Sequence, residues 1–161
     1  MTQLRSFLLL SCSQRKRTDP DPLPAFERYD GPQFRVLRKF LRTHPNASAF
    51  LDIAILSARF GIISPSTLIP WYDQRLTTEQ ALRLRQDALK TLQRYFQPVP
   101  CARCCLSLSR TYFQAVEGFD AWIPAPCAIT IIQGPPGARL SQLFNWLYTL
   151  SKETIAPNSL G

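Results

Sequence analysis

The chain of 161 residues is 45% apolar and 11% aromatic, enough to bury one sizeable core, so a single domain is expected. Nineteen Lys and Arg against eleven Asp and Glu leave a formal charge of +8, and most of the cations are Arg, which favours a polyanionic partner bearing phosphate or carboxylate. The apolar run in MTQLRSFLLLSCS is too short for a signal peptide and no later stretch reaches membrane-spanning length, so a cytoplasmic protein without a membrane partner is expected, its five cysteines carried as reduced thiols.

Four short apolar runs are predicted as buried strands: SFLLL (6–10), LDIAILS (51–57), CCLSLS (104–109) and CAITIIQ (127–133). The first is followed by TDPDPLPAFERYDGP (18–32), whose Pro and Asp content predicts an ordered irregular loop. Phe34, Leu37, Phe40 and Leu41 then recur at helical spacing and predict a helix over 33–43. After the second strand comes a longer helix over 77–96, started by Thr77 and Gln80, a capping box in which each side chain satisfies an otherwise unpaired backbone donor. A short helix is expected after Ser109. The last helix, 138–151, places Leu140, Leu143, Phe144 and Leu147 on one face that closes the domain against the sheet, and residues 152–161 form a weakly structured tail. Strands apolar throughout and alternating with helices predict a single α/β domain over 1–151. Its sheet is expected to be mainly parallel, of four to five strands, with helices on both faces.

In that architecture ligands bind beyond the carboxyl ends of the strands. Here those ends run into Ser11-Cys12-Ser13, Ser57-Ala58-Arg59, Ser109-Arg110-Thr111 and Gln133-Gly134, which predicts a shared polar floor opening on a common cavity. Ser11, Cys12, Ser13 and Lys16, joined by Ser57 and Arg59, are candidates to gather around a phosphate without a Walker glycine loop. A polar turn followed by a solvated basic run is the plainer alternative. In IPWYDQRL, Trp71 and Tyr72 are candidate stacking surfaces, with Tyr112 from a later strand exit. Asp73 is the candidate catalytic carboxylate in a chain short of acids; it also has the position to cap the helix beginning near Thr77 or to pair with Arg75. Arg35, Arg38, Lys39 and Arg42 form a cationic stripe suited to a nucleic-acid backbone, or simply a solvated helix face.

Cys101-x-x-Cys104, with Cys105 and Cys127, is the one segment with partial metal-ligand spacing, and it leaves a thiol redox or metal module as a third possibility. The spacing is incomplete, so no metal is expected, and the chain shows no dinucleotide fingerprint that would imply a cofactor. A lone His44 in THPN disfavours Ser-His-Asp chemistry.

The segments LLSCSQRKR, RYDGPQFRVLRKF and AILSARFGIISPSTLIPWYDQRL resemble the YaaA-like family, a small bacterial and phage domain of unknown function. Ser11, Cys12, Ser13, Lys16, Tyr29, Gly31, Phe34, Ser57, Ala58, Gly61, Tyr72 and Asp73 fall on its pattern, over about residues 6–76. Arg59 stands where Lys is usual and Trp71 where the family has Pro or Glu. The resemblance implies DNA binding, a role in peroxide stress and nucleotide or nucleic-acid handling. The expected function is accordingly an α/β enzyme acting on a nucleotide or nucleic acid, at an N-glycosidic bond or base. The alternative is a non-catalytic basic DNA- or RNA-binding protein of a stress response.

Overall fold

In the computed structural model, residues 5–97, 101–123 and 127–155 are described, the side chains of 153–155 excepted. Strand β1 (Arg5–Ser11) leads through β2 (Leu23–Pro24) and a single turn, α1 (Ala25–Arg28), into α2 (Pro32–Thr43). A 3-10 turn precedes β3 (Leu51–Ser57), which folds back as β4 (Gly61–Ile63); β5 (Leu68–Ile69) then leads to α3 (Thr78–Phe96). The chain continues with β6 (Cys101–Ser107), α4 (Arg110–Gln114), β7 (Ala128–Ile131) and α5 (Pro136–Ile155).

The main sheet has the order β4-β3-β1-β6-β7, and β2 and β5 form a separate two-stranded ladder. β1 runs parallel to both β3 and β6, and β6 parallel to β7; only β4 is antiparallel. All four predicted strands therefore end on one edge. Leu8, Leu9, Leu10, Ile55, Leu56 and Leu106 are fully buried, as expected for parallel strands covered on both faces. One face receives α3, where Tyr95 and Phe96 pack 5.0 and 5.2 Å from the Phe7 ring. The other receives α2, whose Gln33 Oε1 accepts from Ser107 Oγ at 2.8 Å, and α5 packs beside α2.

Local chemistry sets the helix starts. Thr77 and Gln80 make the reciprocal capping box at the head of α3, each bond at 3.2 Å. Pro32 opens α2, where its missing N–H removes no helical bond.

Three expectations need correction. α5 extends to Ile155, so the start of the expected tail is helical; residues 156–161 lie outside the described part. Its inner face is Leu143, Trp146, Leu147 and Leu150, while Phe144 is 42% exposed and stacks outward on Tyr148 at 4.2 Å. The helix is turned because the Trp146 ring takes the inner position that the aliphatic pattern had given to Phe144. Finally, β7 is not a buried strand: it lies at the sheet edge with Ile129 and Ile131 at 40% and 37% exposure. An apolar strand of four residues looks the same in sequence whether or not a helix covers it.

No helix among the described residues is long and apolar enough to cross a membrane.

Candidate functional site

The strand order creates a topological switch point at β1. The chain leaves β1 for α2 and β3 on one side, then crosses over through α3 to β6 on the other, so the loops after β1 and β6 part and leave a crevice between them. A cavity of about 280 Å3 lies there, walled by Cys12, Ser13, Gln14 and Lys16 after β1 and by Ser109, Thr111 and Tyr112 after β6. The segment Asp73, Gln74, Arg75 and Leu76 closes its third side.

The β1 exit is held rigidly. Cys12 N–H continues the sheet ladder to Leu56 O at 2.9 Å, Arg17 N–H reaches Arg28 O at 2.8 Å, and Asp30 N–H reaches Arg15 O at 2.9 Å. Gly31 N–H donates to Ser13 Oγ at 3.2 Å, and Ser13 Oγ donates to Arg15 O at 2.6 Å. A Cβ on Gly31 would stand 2.6 Å from Ser13 Cβ, so glycine is required by close approach here and not by backbone angle.

Beneath the cavity runs a chain of hydroxyls. Ser57 Oγ accepts from the N–H groups of Arg59 and Phe60 at 3.2 and 3.1 Å, which leaves its own proton for Tyr72 OH at 2.9 Å. Tyr72 OH meets Tyr29 OH at 2.5 Å. Burial pushes the Tyr29 phenol up to about 12 and the Tyr72 phenol further above its ordinary value, so both stay protonated at neutral pH. Tyr112 OH lies 3.0 Å from Cys12 Sγ, and burial, with the nearby thiol, likewise raises its pKa.

Lys16 Nζ sits 4.6 Å from the centre of the Tyr72 ring, with its pKa lowered by burial and partly restored by Cys12 and Asp73. Arg75 faces a neutral group: with the Gln14 amide turned so that its oxygen points at the guanidinium, that oxygen accepts from both Nε and Nη2 at 2.5 Å. Asp73 is exposed on the cavity rim and neither caps α3, which Thr77 does, nor forms an ion pair with Arg75. The crevice thus presents two cations, one carboxylate and several hydroxyls.

The expected residues do not all meet in it. Cys12, Ser13, Lys16, Asp73, Ser109 and Tyr112 line the cavity. Ser11 does not; it borders a separate hollow of about 190 Å3 with Gln33 and Ser107, and accepts from Gln33 Nε2 at both its carbonyl (2.7 Å) and its Oγ (3.4 Å). Ser57 is fully buried and committed to Tyr72. Tyr72 is buried as well, so it is a wall beneath Lys16 and not an open stacking surface; its neighbour Trp71 is the exposed ring, at 52%. Arg59 lies outside the lining, its guanidinium 5.2 Å from the Phe60 ring and 5.9 Å from that of Tyr72. The single expected floor is divided because a strand's last side chains alternate between faces, and the twist of the sheet turns successive exits apart.

The α2 stripe is divided too. Asp30 holds Arg38 at 2.7 Å and Arg35 at 3.3 Å, and Arg38 also donates to the carbonyls of Phe26 and Tyr29 at 3.0 and 3.2 Å. Those contacts place Arg38 in the architecture of the loop; Lys39 and Arg42 remain exposed. Sequence reasoning passed over Arg28. It is fully buried and donates to the carbonyls of Arg17, Asp19 and Asp21 at 2.7, 2.9 and 2.6 Å, which shapes the loop after β1. Thr111, in the predicted polar exit Ser109-Arg110-Thr111, does line the cavity, whereas Gln14 carries no signal in the sequence and Arg75 signals only a partner for Asp73; a polar residue in a loop does not tell which cavity it faces.

The sulfurs of Cys101 and Cys127 lie 3.4 Å apart at the opposite edge of the sheet, where burial raises both thiol pKa values, that of Cys101 to about 12. Among the described residues no group of three His, Cys, Asp or Glu is arranged to hold a metal ion.

Among solved structures, that of AF0587, a protein of unknown function, is similar at 14% identity and a TM-score of 0.48, over 94% of this chain and 44% of that one. The chain thus spans less than half the length of that protein. No curated protein matches the sequence. A family of unknown function, DUF6884, matches residues 7–121, from β1 through the exit of β6 and α4, and the chain therefore belongs to the DUF6884 family.

Proposed function

We propose that the crevice between the β1 and β6 exits binds the phosphate of a nucleotide or of a nucleic-acid strand, and that the protein acts on the adjoining sugar–base unit. The observation that carries this reading is the placement of Lys16 and Arg75 across the switch-point cavity from the hydroxyls of Ser109 and Thr111. Neither cation is neutralised by a carboxylate at close range: Arg75 is held by Gln14, and Lys16 by an aromatic face. A phosphate entering the cavity would meet two charged donors with little competition. The formal charge of +8 adds long-range attraction for such a ligand.

Asp73 is the carboxylate for the chemistry. Loosening of an N-glycosidic bond builds positive charge on the sugar, which an ionised carboxylate stabilises, or the same oxygen takes a proton from an attacking water. Cys12 forms part of the wall: its neighbour Tyr112 is a phenol held protonated and therefore no base for the thiol.

The test separates binding from rate. Lys16→Ala and Arg75→Ala should each weaken adenosine 5′-monophosphate by about tenfold in calorimetry, a loss of ~1.4 kcal/mol, with unchanged melting temperature. Asp73→Asn should preserve or tighten binding, by removing repulsion with phosphate, while release of free base collapses. Affinity indifferent to both cations would remove the phosphate assignment. An undiminished rate in Asp73→Asn would remove the catalytic one.

A further inference from the structure

Beside the first cavity, on the α3 face of the sheet, is a second of about 710 Å3, bounded by the β6–α4 exit on one side and by the end of β7 with the start of α5 on the other. The two share Ser109. We propose that this second cavity receives the base of the neighbouring nucleotide, with Arg110 and Arg139 on the phosphate between, so that the ligand is a single-stranded nucleic acid of two or more nucleotides. The inference rests on the phosphate reading of the first cavity and extends it to a substrate class.

Four features carry it. The first is an apolar wall left open by the fold: Phe113 is half-buried and Ile131 exposed, because among the described residues no helix covers the edge strand β7 on this face. An aromatic ring with an aliphatic neighbour offers a flat surface to a base of any sequence. The second is charge. Arg110 and Arg139 line the cavity, and no salt bridge engages either among the described residues. The carboxylate in the lining, Glu117, is already held by Arg85 at 3.0 Å. Burial of Arg139 also disfavours its charged form, a cost that an anion beside it would offset.

The third feature is hydrogen-bonding capacity. Gln114 lies in the lining with its Oε1 buried and unpartnered, so rotation of the amide would turn either a donor or an acceptor toward a base edge. The fourth is dimension and continuity. A volume of about 710 Å3 falls in the range of sites that enclose a ligand of drug or nucleoside size, and its shared rim with the first cavity makes one path along the carboxyl edge. Bases stacked within a duplex are not free to enter a cavity, whereas the splayed bases of a single strand are.

Calorimetry with two probes, adenosine 5′-monophosphate and the 5′-phosphorylated dinucleotide pApA, distinguishes this inference from the reading beneath it. The full chain should bind pApA at least about tenfold more tightly than the mononucleotide. In the double variant Arg110→Gln, Arg139→Gln that gain should vanish with mononucleotide affinity unchanged, and Lys16→Ala should weaken both ligands. Phe113→Leu, which keeps volume but removes the aromatic face, should cost part of the gain, and a melting curve verifies that each variant is folded. If pApA binds no better than the mononucleotide, or the gain survives in the double variant, the second subsite is overturned while the first stands. If mononucleotide binding ignores Lys16→Ala, the first assignment fails by itself. Failure of both ligands to bind overturns both.

Discussion

At Tyr72 a single hydroxyl joins Ser57 on β3 to Tyr29 before α2, and the ring above it carries Lys16. The two parts of the residue are separable. Tyr72→Phe keeps the ring under Lys16 but strips a partner from two buried hydroxyls, for which about 1–3 kcal/mol of stability is expected to be lost. Urea unfolding should show that loss, while mononucleotide affinity changes little; a large affinity loss with unchanged stability would mean that the hydroxyl itself meets the ligand. IPWYDQRL does not tell which of its two adjacent aromatic rings turns inward. Only the packing against Tyr29 and Phe60 selects Tyr72 and leaves Trp71 in solvent.

Among elements, the loop between β1 and α2 has the most to lose from one substitution. It has no apolar periodicity, and its shape comes from Arg28, which draws three successive stretches of carbonyl toward one guanidinium. Arg28→Met keeps the length and burial of the side chain without its donors, leaving those carbonyls unpaired. A loss of about 2–4 kcal/mol is expected, with faster proteolytic cleavage within residues 17–24. A stable, protease-resistant Arg28→Met protein would show that the loop is held by its backbone pairing alone. The long elements α2, α3 and α5 were legible because the 3.6-residue period repeats over several turns. β2, β4 and β5, of two or three residues each, were not, since a period cannot be seen in so few positions.

Over the whole molecule, the fold withdraws four of five tyrosines from ready ionisation: Tyr29, Tyr72, Tyr95 and Tyr112 are all raised, chiefly by burial. In the unfolded chain these phenols lose their protons near pH 10. Above that pH the folded state retains protons that the unfolded state has released, so stability is complete below about pH 10 and falls as pH rises toward the folded values, about 12 for Tyr29. Most of the phenolate absorbance should therefore appear only at higher pH, together with loss of circular dichroism. A single titration near pH 10 with the fold intact would contradict the buried network.

The succession of the longer strands and helices along the chain, the capped start of α3 and the polar character of the strand exits were all local properties, and each was determined by the sequence through spacing, capping chemistry and residue type. The resulting α/β sheet and its common carboxyl edge follow from those properties. Which exits share a cavity does not. Ser13 and Ser109 come together because β6 returns to the side of β1 opposite β3, whereas Ser57, in an equally polar exit, lies beneath the tyrosines. The order of strands within the sheet, its twist and the exposure of β7 at its edge are relations among distant segments, set by how the whole chain buries its apolar faces, and no window of residues contains them.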